Sequence, residues 1–153
     1  VASMLICEMA AYYKTKGKTL IDVMNELYDE FGYYCNTVQS YTFEGASGMQ
    51  KMADIMDGLR VNVPVQFAGY KVTKIDDYKT SISTAVDTKE ESKITLPKSN
   101  VLAYTLTDGN KVIVRPSGTE PKIKAYITAI GTSEDNAKEI ANKLLKDADE
   151  LMK

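Results

Sequence analysis

Val114-Arg115-Pro116-Ser117-Gly118-Thr119-Glu120-Pro121-Lys122 brings a guanidinium, two hydroxyls, a glycine and an ammonium into one short segment. Arg115 offers a planar fork of donors to a phosphate, worth roughly 1.5–3 kcal/mol per charge-assisted bond where water is partly excluded. Pro116 fixes one backbone dihedral, and Gly118 permits a positive φ and close approach of backbone N–H groups, as in an anion-binding nest. Ser117 and Thr119 add hydroxyl donors, and Pro121 stiffens the exit. Together these groups suit a phosphate monoester. Glu120 opposes that reading unless it points outward or pairs with a cation such as Lys122. Solvated turns of Pro, Ser, Gly and Thr are also common, so composition alone leaves both readings open.

The elements around the segment decide where those groups point. Leu102, Tyr104 and Leu106 alternate as on a strand, Asp108-Gly109 supplies a tight-turn signal beside Asn110, and Val112-Ile113-Val114 returns as the partner strand. Ile123 to Ile130 is a further strand with Ile123, Ala125, Ile127 and Ala129 on one face. Lys122, Lys124 and Tyr126 then share the other face, which brings Lys124 toward the same anion. Thr132 or Ser133 caps a long terminal helix whose stripe, Ala137 through Leu151, is expected to cover the sheet.

Earlier in the chain, Ala2, Leu5, Ile6, Met9, Ala10 and Tyr13 form the stripe of a helix facing a core. No N-cap precedes Val1, so the expectation is a piece of a longer protein. Thr19 and Asp22 make a capping-box pair for a second helix, Gly32 is its stop, and Lys16-Gly17-Lys18 is the hinge between the two. Residues 1–32 thus read as a helical hairpin left from a preceding domain, and 33–153 as a separate domain. Within the latter, 37–43 reads as a strand and Ser47-Gly48-Met49-Gln50 as a capping box. The helix it opens presents Met49, Met52, Ala53, Met56 and Leu59 to the core. Val61–Val65 and Gly69–Ile75 read as extended, with Pro64 at a turn or edge. Residues 79–100, rich in Thr, Ser, Lys and Glu, read as a long surface excursion. The fold class is α+β: a mainly antiparallel sheet covered by helices, preceded by a helical hairpin.

Composition narrows the function classes. A formal charge of −2 over 153 residues gives no global attraction to nucleic acid or to an anionic membrane, so any affinity for an anion is local. The chain has no histidine and only Cys7 and Cys35, which argues against a histidine-dependent triad and a Cys/His metal site. The two separated cysteines and the absence of a readable signal peptide point to a reducing, cytoplasmic setting. No apolar run is long enough to span a bilayer. Tyr12-Tyr13 and Tyr33-Tyr34 read as packing at helix ends or at a domain interface.

The string Val112-Ile-Val-Arg-Pro-Ser-Gly-Thr-Glu-Pro-Lys-Ile-Lys-Ala-Tyr-Ile127 resembles the phosphate-binding loop in the C-terminal domain of the α-D-phosphohexomutases, the phosphoglucomutase and phosphomannomutase family. Residues 43–60 are similar to the family's helix ending in an arginine, 96–112 to its approach to the loop, and 1–31 to the helices that close its third domain. The resemblance implies a TATA-binding-protein-like fold for the last domain of a four-domain enzyme. Such an enzyme interconverts hexose 1-phosphate and 6-phosphate through a phosphoserine and a bisphosphorylated sugar. It further implies that Arg115, Ser117, Gly118 and Thr119 bind the non-transferring phosphate, with Lys124 as an additional contact. Phosphosugar and the preceding domains are the implied partners, with neither nucleic acid nor membrane among them.

The family's other motifs have no counterpart. There is no Thr-Ala-Ser-His-Asn-Pro-like serine loop and no Asp-x-Asp-x-Asp magnesium loop, Asp76-Asp77 reading instead as a turn. Phe43-Glu44-Gly45-Ala46-Ser47 reads as a strand end and helix cap, not as the sugar-recognition loop. The resemblance therefore implies that Mg2+ belongs to the full-length enzyme, at a site outside this chain, and that the chain alone catalyses nothing. The competing expectation is a stand-alone phospholigand-binding or nucleic-acid-binding module.

Overall fold

Thr19 starts the second helix as its spacing predicts. Its hydroxyl oxygen accepts from the Asp22 N–H at 3.2 Å, and the Asp22 carboxylate accepts from the Thr19 N–H at 2.7 Å, two otherwise orphaned donors satisfied reciprocally. In the computed structural model, which describes residues 1–45 and 47–152, α1 (Ala2–Thr15) and α2 (Leu20–Phe31) form the hairpin. Gly32 ends it at φ 92°. Val23 is buried, whereas Leu5, Ile6, Met9, Met24, Leu27 and Phe31 are exposed. Of the stripe expected to face a core, only Ala10 and Tyr13 are half-buried, and the rest of it stays exposed.

The strands that follow are β1 (Tyr33–Thr42), β2 (Gln66–Phe67), β3 (Tyr70–Asp77), β4 (Ile82–Ala85), β5 (Glu91–Lys93), β6 (Leu102–Leu106), β7 (Lys111–Pro116) and β8 (Lys122–Gly131). They pair antiparallel in the order β1-β8-β7-β6-β3-β4-β5, with β2 joined to β3 off this path. β1 begins at Tyr33, four residues before the expected start, because its whole length pairs with β8 from Tyr33↔Gly131 to Thr42↔Lys122. Residues 79–100 are no irregular excursion. β4 and β5 lie within them and extend the sheet, Ile82 opposite Asp77 and Lys93 opposite Ile82.

α3 (Gly48–Val61) and α4 (Glu134–Leu151) complete one core against alternate residues of the strands. Phe67 and Tyr104 meet at its centre with ring centroids 5.5 Å apart. Ile123, Ile127 and Leu144 are fully enclosed, each burial contributing about 1.5–3 kcal/mol. Ser133, not Thr132, caps α4, its hydroxyl accepting from the Asn136 N–H at 3.2 Å. α3 departs from expectation in three ways. Ser47 sits at its N-cap without a side-chain cap bond, and Gln50 donates forward to Asp54 instead. The buried face is Gly48, Met52, Met56 and Leu59, leaving Met49 and Ala53 exposed. The helix also runs through Val61, so the extended segment begins later.

Asp76 and Asp77 end β3 and do not form a turn. Asp76 pairs with Lys74 at 3.0 Å, and Asp77 with Arg60 at 3.2 Å. Ala46, inside the segment distinguished above from a sugar loop, lies outside the described residues.

Candidate functional site

The alternation on β7 and β8 sets the site. Val114 and Ala125 face each other in the core, so the next pair, Arg115 and Lys124, faces out together on the opposite side of the sheet. Directly opposed residues on one sheet face have Cβ atoms about 4.5–5.5 Å apart, and like charges so placed destabilise the pair. Yet neither the Arg115 nor the Lys124 side chain makes a hydrogen bond or ion pair with a protein group among the described residues. The chain's other arginine shows the contrast. Arg60 is engaged by Asp77, by the Asn100 side chain at 2.6 Å and by the Met56 carbonyl at 3.1 Å, and its side chain is only 14% exposed. Arg60 is a structural clamp; Arg115 is free.

The segment after Arg115 is held by its own backbone. The Ser117 N–H donates to the Lys122 carbonyl at 2.7 Å, and the Lys122 N–H donates to the Glu120 carbonyl at 2.7 Å. The Ser117 hydroxyl oxygen accepts from the Thr119 and Glu120 N–H groups at 3.4 and 3.3 Å, a local turn that keeps its own proton available to donate. The Pro121 carbonyl accepts from the Phe43 N–H at 2.8 Å, tying the exit of the loop to the end of β1. Glu120 pairs with Lys122 at 3.3 Å, which neutralises the carboxylate that opposed an anion here.

Gly118 does not use the positive φ that glycine permits. Its φ lies outside the left-handed region, and a Cβ built on it meets nothing within 4 Å. The chain's own geometry therefore does not demand glycine; what the missing side chain leaves open is approach to the backbone from outside. Arg115, Ser117, Gly118, Thr119 and Lys124 do come together, lining with Pro116 and Tyr126 a concavity of about 320 Å3. That is the lower end of the range for small-ligand sites. Its polar groups are all donors or hydroxyls, and no carboxylate lines it.

Two features of this architecture escape sequence reasoning. Asn110 is fully buried; its side-chain oxygen accepts from the Ile130 N–H at 2.8 Å, and its carbonyl accepts from Leu106 at 2.8 Å. It thereby fixes the β6–β7 turn against the end of β8 and so the register that opposes Arg115 to Lys124. Its only sequence signal is its place beside Asp108-Gly109. Tyr126 shares a face with Lys124 in the sequence pattern, but nothing in that pattern places it at the wall of the cavity.

Other concavities have different character. One of about 280 Å3 between α3 and β4 contains Arg60 and Asp77, already paired with each other. Another of about 280 Å3 lies where α2 meets β1 and α4, beside Tyr28 and Tyr33, whose rings stack at 5.3 Å. Among the described residues no group of three or more His, Cys, Asp or Glu is placed to hold a metal ion, and no helix is long and apolar enough to cross a membrane.

Comparison with known proteins adds a lineage to this geometry. The family profile described as "Phosphoglucomutase/phosphomannomutase, C-terminal domain" matches residues 59–146. The chain is 36% identical over 146 residues to a phosphoglucomutase of Staphylococcus haemolyticus strain JCSC1435, covering 95% of this chain and 26% of that protein. It is 41% identical over 124 residues to a phosphoglucomutase of Staphylococcus aureus strain MRSA252, covering 81% and 22% respectively. The chain thus spans about a quarter of the length of the curated relatives it matches. Among solved structures, the open form of the exocytosis-sensitive phosphoprotein pp63/parafusin, a phosphoglucomutase from Paramecium, shares the fold. Its TM-score is 0.57 at 16% identity, over 92% of this chain and 24% of that one.

Proposed function

The chain belongs to the phosphoglucomutase/phosphomannomutase family, whose C-terminal domain it matches, and from that premise we propose that it is the phosphate-holding domain of a phosphohexomutase. The observation that carries this reading is the opposed pair Arg115 and Lys124, two cations facing each other across β7 and β8 with no protein anion between them. A phosphate dianion seated there relieves their repulsion and accepts from both. The Ser117 and Thr119 hydroxyls and the Gly118 N–H complete its shell.

In the full-length enzyme the substrate is a hexose 1- or 6-phosphate, and this domain holds the phosphate that does not transfer. The reacting end then meets groups carried by other parts of the longer protein, including its magnesium ion, for which the described residues of this chain offer no cluster. Gripping the remote phosphate converts binding energy into orientation of the reacting end, which is how a group distant from the chemistry raises the rate. The exposed apolar faces of α1 and α2 fit the same reading, as the closing helices of the preceding domain. By itself the chain binds and orients but does not transfer phosphate.

Titration of the full chain with inorganic phosphate and with glucose 6-phosphate, followed by amide NMR, tests the cradle. Ser117, Gly118 and Thr119 signals are expected to shift with both ligands. Arg115→Ala is expected to weaken both by at least about tenfold, the loss of one charge-assisted bond. Silence of these amides at millimolar ligand, or an unchanged response in Arg115→Ala, rejects the reading.

A further inference from the structure

Tyr126 stands at the wall of the same concavity without a partner of its own. It lies two residues beyond Lys124 on β8 and on the same face, so its Cα is about 6.5–7 Å from that of Lys124. Its cross-strand neighbours are Ile113 on β7 and Val38 on β1. These three make an apolar strip on a sheet face that also carries Asn36, Ser40, Lys111 and Thr128. The ring of Tyr126 is 36% exposed, and among the described residues it makes neither a ring contact nor a hydrogen bond. Several other tyrosines are engaged. Tyr41 donates to Asp149, Tyr104 to the Leu59 carbonyl, Tyr33 to Asp29, and Tyr12 packs edge-on to Tyr13.

Resting on the phosphate cradle proposed above, we infer that Tyr126 is a specificity-determining residue that receives the carbon skeleton of a cyclic phosphosugar. A phosphate held between Arg115, Lys124 and the Ser117–Thr119 turn must project its ester oxygen and the attached carbons somewhere along the concavity, and Tyr126 is the aromatic surface that borders it. A hexose ring presents C–H groups on one face and hydroxyls around its rim. An exposed phenol matches both, its ring taking the C–H face and its hydroxyl one rim hydroxyl, with little rotamer entropy to lose. The cradle alone binds any phosphate monoester; Tyr126 adds preference for those that carry a ring. Ile113 and Val38 flank it from the neighbouring strands on either side.

The test separates this inference from the cradle itself by using two probes on the full chain, inorganic phosphate and glucose 6-phosphate, with wild type, Tyr126→Ala, Tyr126→Phe and Arg115→Ala. Wild type is expected to bind glucose 6-phosphate more tightly than inorganic phosphate. Tyr126→Ala removes about a threefold to tenfold part of that preference while leaving inorganic phosphate within about twofold, the scale of one aromatic contact. Tyr126→Phe retains most of the preference if the ring face carries it. Amide spectra confirm that each variant is folded, and Tyr126→Leu supplies an apolar, strand-compatible replacement should the alanine variant lose structure. If the folded Tyr126 variants keep the full preference, or if wild type shows none, the inference is overturned and the cradle stands. If wild type does not bind inorganic phosphate, or Arg115→Ala changes nothing, the cradle falls and the role of Tyr126 falls with it.

Discussion

Gly118 separates the shape of the loop from its chemistry. Sequence reasoning assigns it to backbone geometry, yet its φ lies outside the left-handed region and a Cβ there meets no atom of the chain within 4 Å. Alanine should therefore be accepted by the fold, and a Gly→Ala change at a compatible backbone stabilises by about 0.4–1 kcal/mol through the unfolded state. The added methyl instead occupies the space through which an anion reaches the Gly118 N–H and its neighbours. Gly118→Ala is thus expected to leave the thermal unfolding midpoint unchanged or slightly raised. Inorganic phosphate binding, measured by NMR titration, should weaken by roughly tenfold, one charge-assisted bond. Unaltered phosphate affinity in a folded variant would show that the open side of the loop has no ligand to admit. The residue types of the site were legible in the sequence because donors, hydroxyls and the alternation that aims Lys124 are local properties. The reason for glycine was not, since it depends on what lies around the loop in three dimensions.

At the scale of elements, α3 is what steadies the loop from behind. Gly48 opens that helix so close to the end of β1 that a Cβ would sit 2.1 Å from the Phe43 carbonyl oxygen and 3.0 Å from the Pro121 side chain. Pro121 is the exit of the phosphate loop, and its carbonyl already accepts from Phe43. Here glycine serves close approach, and its replacement forces backbone apart. Gly48→Ala is expected to destabilise by about 1–3 kcal/mol, the usual cost of overpacking, which lowers the unfolding midpoint by roughly 2–12 °C in a chain of this size. The same variant should move the Ser117–Lys122 amide signals although it touches none of those residues. A wild-type midpoint would refute the close packing. Elements with strong period were readable in advance: β6 to β8 and α4 bury the faces their sequences present, whereas α2 forms at its predicted cap but leaves Met24, Leu27 and Phe31 exposed. β4 and β5 were not, because Ile82 and all of β5 are exposed or nearly so, and strands without a buried face carry no alternation to read. They exist because β3, paired with β6 along one side, leaves its other side open to β4, and β4 in turn to β5. Met49 was misassigned because Gly48, which has no side chain to signal burial, leads the inward stripe of α3.

For the whole molecule, two tyrosines clamp the helical layer to the sheet and make its stability depend on alkaline pH. Tyr41 on β1 donates to Asp149 on α4, and Tyr104 on β6 reaches the Leu59 carbonyl at the end of α3 at 3.4 Å. Burial is the main cause that pushes the Tyr41 phenol above its ordinary value, and the hydrogen bond to Asp149 and that residue's negative charge push the same way. Burial likewise raises Tyr104, opposed by the charge of Arg60 and assisted by that of Asp77. A folded pKa above the unfolded one means that the unfolded chain releases protons first as pH rises. The stabilisation is therefore fully present below the unfolded phenol value, near pH 10, and is lost as pH climbs toward the folded value. Urea midpoints are expected to fall between pH 9 and pH 11, and the fall should be shallower in a Tyr41→Phe/Tyr104→Phe variant, whose rings fill the same space without a proton to lose. Lysine deprotonation also alters stability in this range, but it is common to both proteins, so the difference in slope isolates the two phenols. In wild type the phenolate absorbance of these residues should appear only with unfolding. Equal pH slopes in wild type and double variant would mean that both phenols reach solvent in the folded chain, and that the helices are not held to the sheet as the two contacts require.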